Sequence, residues 1–218
     1  IDGAFNSGQG VGRLKGSFDW KEEPHLALTL KGDNLLIRQA PMITAIVQPD
    51  LSLDVYPFDQ RLSLKGSIDV PRARISMPET TATVINVSPD VRVVQQGQDL
   101  LATLKSAKPW DIRADMTLTL GNQVVFQGFG SNIPLVGRLH LSQRGLETAM
   151  RANGAIGVSQ KVKIEAYGQS LDLNRAIARF NGPLANPTLD IDANKPVQGS
   201  MVGVRITGTA TVPNVQVY

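Results

Sequence analysis

Apolar and polar residues alternate along most of this chain with a period of two. Leu26, Leu28 and Leu30 alternate with Ala27, Thr29 and Lys31, and Ile112, Ala114, Met116, Leu118 and Leu120 alternate with Arg113, Asp115, Thr117 and Thr119. Leu135, Gly137, Leu139 and Leu141 alternate with Val136, Arg138 and His140. The rhythm returns at Leu51 and Leu53, at Leu62 and Leu64, at Leu146, Thr148, Met150 and Ala152, and at Leu171 and Leu173. It closes with Leu189 and Ile191, then Val202, Val204 and Ile206. Successive side chains of a strand point to opposite faces, so this pattern predicts sheet with one greasy and one wet face. Strands of parallel sheets covered by helices would carry continuous apolar runs instead. The pattern is that of antiparallel sheet buried on one side.

Helical periodicity is scarce. Over 97–108, Asp99 is a candidate cap, Leu100, Leu101 and Leu104 are helically spaced, and Pro109 would stop the helix. A polar loop between two groups of strands fits the same residues equally well. Elsewhere Gly and Pro punctuate, as at Asn181-Gly182-Pro183 and Asn186-Pro187. A short string repeats: Leu14-Lys15-Gly16-Ser17-Phe18-Asp19 returns as Leu64-Lys65-Gly66-Ser67-Ile68-Asp69, and Leu30-Lys31-Gly32 is a shorter copy. Such echoes suit a sheet that lays down similar strands along one axis.

Length and composition narrow this further. The 218 residues fit one β-rich unit spanning 1–218, with no shift in composition to mark a boundary. At 42% hydrophobic the chain is not disordered, and a net charge of +3 without a basic run argues against nucleic acid as a partner. Aromatic residues are only 5%, so the greasy face is built from aliphatic side chains. The absence of cysteine excludes disulfides and thiolate metal sites. No apolar stretch approaches the ~20 residues of a membrane-spanning helix. The chain starts at Ile1 without Met or a leader pattern and reads as an excised piece of a longer protein.

Chemistry is hard to find. His25 and His140 are the only histidines, and His140 alternates outward with Arg138, as a solvated imidazole would. A zinc site is improbable with that inventory, and there is no phosphate-binding glycine loop, H-E-x-x-H or G-x-S-x-G. Gly8-Gln9-Gly10-Val11-Gly12 lacks the strand–helix setting of a dinucleotide loop and reads as a flexible lead-in. The carboxylate pairs Asp190/Asp192 and Asp111/Asp115 read as solvated charges rather than a glycosidase pair. The sequence predicts no enzyme, no metal and no cofactor.

The greasy face therefore carries the functional question. It is either sealed against protein, in a sandwich or barrel, or left as a partly open trough. Periodicity leaves both open. A membrane barrel would turn that face outward and carry aromatic girdles, which a few scattered rings do not supply. A trough would suit acyl chains: at about 0.8 kcal/mol per methylene, a 16-carbon chain gains on the order of 10 kcal/mol.

From Leu118 onward a series of motifs follows. Leu118-Thr119-Leu120-Gly121-Asn122-Gln123-Val124-Val125-Phe126-Gln127-Gly128-Phe129-Gly130 fits an "L-x-L-G-x-x-V-x-F-x-G-x-G" strand pair. Leu135-Val136-Gly137-Arg138-Leu139, Ala166-Tyr167-Gly168-Gln169 and Phe180-Asn181-Gly182-Pro183-Leu184-Ala185-Asn186-Pro187-Thr188-Leu189-Asp190-Ile191 come next, and Val202-Gly203-Val204-Arg205-Ile206-Thr207-Gly208-Thr209-Ala210 closes the series. In order and spacing, over about 115–217, these resemble the TamB C-terminal domain family, within the AsmA-like bridge lipid-transfer group. The resemblance implies a long curved, mostly antiparallel sheet rolled into a half-open, taco-like trough with a hydrophobic concave interior. It also implies a periplasmic protein whose full-length form is anchored in the inner membrane by an N-terminal helix outside this sequence. The implied partners are the outer-membrane barrel TamA, phospholipid acyl chains moving between inner and outer membranes, and unfolded outer-membrane proteins such as autotransporters.

Two functional expectations follow. In the first, the trough conducts acyl chains along a wall that includes Ile112, Met116, Leu118, Leu139, Leu141, Met150, Ile156, Leu173, Leu189, Ile191, Val204 and Ile206; ordinary core packing is the alternative identity of each. In the second, the open sheet is a chaperone-like scaffold that receives client strands at its edges by β-augmentation, without lipid transport.

Overall fold

A computed structural model describes residues 1–20, 23–39, 42–76, 110–146, 149–166 and 168–218. The alternating stretches become strands: β1 (Asp2–Ser7), β2 (Gly10–Asp19), β3 (His25–Asp33), β4 (Leu35–Gln39), β5 (Ile43–Tyr56), β6 (Arg61–Ser76), β7 (Asp111–Gly128), β8 (Ser131–Gln143), β9 (Arg151–Val158), β10 (Val162–Ala166), β11 (Gln169–Pro183), β12 (Thr188–Val197), β13 (Ser200–Thr209) and β14 (Pro213–Val217). There is no helix among the described residues, and the candidate helix at 97–108 lies outside them. All strands belong to one 14-stranded sheet in the order β1-β2-β3-β5-β6-β7-β8-β9-β11-β12-β13-β14, with β4 paired to β5 and β10 to β11. The ladder runs from β1 to β14 and does not close on itself, as the half-open trough requires.

Neighbours are antiparallel except at the centre, where β6 and β7 run parallel from Arg61↔Asp111 to Ser76↔Gln127. Tight turns make the local hairpins. Phe129 and Gly130 (φ 52° and 68°) join β7 to β8, and Gln198 and Gly199 (φ 48° and 86°) join β12 to β13; both have the doubly positive φ of the turn whose twist matches paired strands. Two expectations are corrected by these turns. Gly8, at φ 64°, turns β1 back onto β2, so the glycine-rich start is a hairpin rather than a flexible lead-in. The motif over 118–130 is not a strand pair: residues 118–128 belong to one long strand, β7, and the motif ends in the Phe129-Gly130 turn that leads to β8.

Gly121 marks a bend instead. Register shifts fall side by side at Ile46/Gln48 on β5, Val70/Arg72 on β6 and Leu120/Val124 on β7. The extra residues lie on β6, against β5, and on β7, against β6 and β8. Bulges aligned on neighbouring strands bend a sheet as a unit, and a side chain at Gly121 would meet the Pro71 and Val70 backbone at 2.9–3.2 Å. Inside the bend Leu35, Ala45, Val47, Val70, Ala73 and Val124 pack together, with Val124 fully buried. A second cluster, Ile133, Leu171, Leu173 and Ala193, forms towards the C-terminal half, and Leu135 packs against both.

The wet face is laced by cross-strand ion pairs, including Lys31–Asp50 (3.0 Å), Lys163–Asp172 (3.8 Å) and Arg175–Asp190 (3.0 Å). Exposed pairs of this kind contribute little stability. The apolar face does the holding.

Candidate functional site: an apolar cleft on the greasy face

Cross-strand register decides which side chains share a face. Phe18↔Leu26↔Val55↔Leu62↔Ile112 forms one row from β2 to β7. Pro49↔Ile68↔Leu118↔Leu139↔Gly154↔Phe180 forms another, across the parallel seam and on to β11. Ala176↔Ile191↔Ile206↔Val215 carries the same face to the last strand. Among the described residues these rows carry the apolar side from β2 to β14, and the parallel pairing of β6 with β7 keeps Leu62, Leu64 and Ile68 level with Ile112, Ala114 and Leu118.

On this face the C-terminal half curls around a cleft of about 560 Å3. Such a volume lies within the ~300–1,000 Å3 usual for sites that hold small molecules. Its walls are Phe126, Ile133 and Leu135 from β7 and β8, Val158 and Ile164 from β9 and β10, Leu171, Leu173 and Ala176 from β11, Ile191 and Ala193 from β12, Val204 and Ile206 from β13, and Val215 from β14. Phe129 stands at the β7–β8 turn, and Glu165 is the one charged residue in the lining. The bulge at Leu173/Arg175 lets both Leu173 and Ala176 face the cleft, although their spacing is odd.

Of the twelve wall residues expected from the sequence, Leu173, Ile191, Val204 and Ile206 line the cleft. Ile112, Met116, Leu118, Leu139, Leu141, Ile156 and Leu189 share the face by register but lie outside it. Met150 precedes β9, where its carbonyl accepts a hydrogen bond from the Leu184 amide at 2.9 Å. Met116 (8% exposed), Leu139 (3%) and Leu173 (3%) are already covered by neighbouring side chains, as packed core residues are. The residues that sequence reasoning missed fall into two groups. Leu135, Leu171 and Ile164 stood in legible alternation. Phe126 and Ala176 lie beyond bulges, and Phe129 sits in a turn, where a period of two carries no information.

The polar chemistry is dispersed. His25 Nε2 lies 3.0 Å from Asp54 Oδ1, and its ring stacks on Tyr56 at 4.4 Å; His140, exposed as expected, lies 3.7 Å from Asp115. The Arg113 guanidinium is held above its ordinary range by a hydrogen bond from its own N–H to Asp111 and by that carboxylate's charge. Among the described residues no three His, Asp or Glu side chains come together as a metal site would require. One expectation changes. Asp192 is not a solvated charge but a buried one, accepting hydrogen bonds from Tyr218 Oη (3.0 Å) and Arg205 Nε (3.3 Å). A buried carboxylate needs such donors.

Residues 2–218 match the family described as the TamB C-terminal domain. A curated relative, the translocation and assembly module subunit TamB of Haemophilus influenzae, is 26% identical over 220 aligned residues, which cover 94% of this chain and 16% of that protein. The chain thus spans about one sixth of the relative's length.

Proposed function

Because the chain belongs to the TamB C-terminal domain family, we propose that it is the part of a translocation and assembly module subunit whose apolar sheet face receives phospholipid acyl chains on their way between the inner and outer membranes. In this reading the protein works in the periplasm as part of an inner-membrane-anchored subunit, with the outer-membrane barrel TamA as its partner. The observation that carries the proposal is the cleft, open among the described residues, whose lining of Leu173, Ile191, Val204, Ile206 and their apolar neighbours is broken by one charged residue, Glu165. Fatty chains of variable length need such a surface, because each methylene transferred from water contributes about 0.8 kcal/mol and every register along an aliphatic wall is nearly equivalent. Phosphate headgroups, too costly to desolvate, remain at the open side.

The test is native mass spectrometry of the protein purified without detergent. Phospholipid adducts are expected on the wild type. Ile191→Asp or Ile206→Asp, each placing an unpaired charge on the wall, should abolish them while circular dichroism still reports folded sheet. A wild type that carries no lipid under gentle ionisation, or aspartate variants that carry as much as wild type, would overturn the reading.

A second reading, strand capture without lipid transport, is favoured by one feature: among the described residues, β1 and β14 are the last strands of the ladder and each pairs on one side. Backbone donors and acceptors left open at a sheet edge are templates for an added strand, such as one from an unfolded outer-membrane protein or autotransporter.

A further inference from the structure

On the wet face, at the end of the sheet where the cleft also lies, a groove of about 800 Å3 contains Arg38, Arg72 and Arg74 and no carboxylate. Val125 and Asn132 line this groove while their chain neighbours Phe126 and Ile133 line the cleft, so the two lie back to back across β7 and β8. Register fixes the spacing. Arg38 stands opposite Thr44, which stands opposite Arg74, so these two arginines are two strand spacings apart, about 10 Å. Arg72 lies two residues before Arg74 on the same side of β6, about 7 Å away. All three are exposed.

Elsewhere on this face many cations meet a carboxylate, as Lys31 meets Asp50 and Arg175 meets Asp190. Here, among the described residues, none of the three guanidinium groups lies within ion-pair distance of one. Arg72 Nε donates to Gln123 Oε1 at 2.8 Å, which fixes the plane of that guanidinium and, among the described residues, leaves its outer N–H groups to solvent. Three like charges gathered in one groove repel one another through water only weakly, and an anion seated between them removes that repulsion and gains their donors. Planar guanidinium forks match tetrahedral oxyanions with paired hydrogen bonds. Between the arginines, Leu36, Ile46 and Val125 supply an apolar floor, which a bare inorganic anion does not use and the first acyl methylenes next to a lipid phosphate do.

We propose that Arg38, Arg72 and Arg74 form a clasp for the phosphate of an anionic lipid headgroup, on the face opposite the apolar cleft. This goes beyond the acyl-chain reading, since the two surfaces are separated by the sheet itself. The test is co-sedimentation of the protein with vesicles of phosphatidylglycerol in phosphatidylcholine and with vesicles of phosphatidylcholine alone. The wild type should bind the first and not the second. R38Q/R72Q/R74Q should weaken that binding roughly tenfold more than R138Q/R144Q/R151Q, which removes the same charge from elsewhere on the protein. Ile206→Asp, which strikes only the cleft, should leave vesicle binding intact, so failure here and failure of the acyl-chain reading are separate results. Equal losses in the two arginine triples, or no binding by the wild type, would overturn the clasp. An arginine-dependent rise in melting temperature with inorganic phosphate, without vesicle binding, would overturn its assignment to lipid.

Discussion

Gly66 and Gly154 are residues at which backbone geometry, rather than hydrophobicity, decides what is allowed. Both sit inside strands on the apolar face, and both have φ values (135° and 129°) that side chains rarely adopt. A Cβ would come 2.0 Å from the Asp50 carbonyl oxygen in the first case and 2.2 Å from the Arg138 carbonyl oxygen in the second. Strand glycines of this kind mark where a sheet coils sharply or another backbone comes close. Gly182 is the contrast: no atom lies within 4 Å of its added Cβ, and its φ is unremarkable. Gly154→Ala is therefore expected to lower stability by roughly 1–3 kcal/mol, whereas Gly182→Ala should be neutral or gain up to about 1 kcal/mol by restricting the unfolded chain. Urea denaturation of the two variants measures this directly, and equal effects would remove the strain argument. Neither behaviour is visible in the sequence, where the two glycines look alike. The same holds for Asp192. It alternates outward like Asp190, but Tyr218 and Arg205 converge on it because β14 folds back beside β13.

Individual strands were legible because alternation is a local property. Leu26 to Leu30, Ile112 to Leu120 and Leu135 to Leu141 each formed the strand that their spacing predicts. Pairing was less so. The parallel seam joins Arg61–Ser76 to Asp111–Gly128, and nothing local in either strand specifies the direction of its partner. Bulges were also hidden, since an extra residue merely looks like a break in the pattern. That is why the cleft residues Phe126 and Ala176 escaped notice while Ile191 and Ile206 did not. The aligned bulges of β6 and β7 make their own prediction. Val124 is the one fully buried large side chain among the described residues, inside the bend that they create. Val124→Ala removes two buried methyl groups and leaves a cavity between strands that cannot collapse without straightening, so a loss of about 2 kcal/mol is expected. Leu146→Ala, at an exposed turn position (63% exposed), should cost less than about 0.5 kcal/mol. Chemical denaturation that ranks these two the other way would show that the bend is not a packing centre.

At the scale of the whole sheet, the described strands provide two different resources, a face and the outer sides of β1 and β14, and these can be separated by backbone geometry. Gly203 and Tyr218 exchange both backbone hydrogen bonds (2.8 and 3.0 Å), and so do Ile1 and Gly16, each at 2.8 Å. Antiparallel pairing alternates such pairs with pairs whose N–H groups point away. It follows that Val217 on β14 and Ala4 on β1 direct their amides to the open side, since each is offset from the bonded pair by an odd number of residues. Proline at either site removes an outward donor without breaking a ladder bond, a placement that edge strands tolerate. Ala4→Pro and Val217→Pro are therefore expected to fold with stability close to wild type and, if the face is what matters, to retain phospholipid in native mass spectra. Ile206→Asp, in the middle of the cleft wall, should lose it. The reverse result, with lipid retained by Ile206→Asp and client-strand assembly lost in the proline variants, would transfer the function from the face to the edges. The two readings thus part over chemical groups that point at right angles to each other, side chains normal to the sheet and amides within its plane.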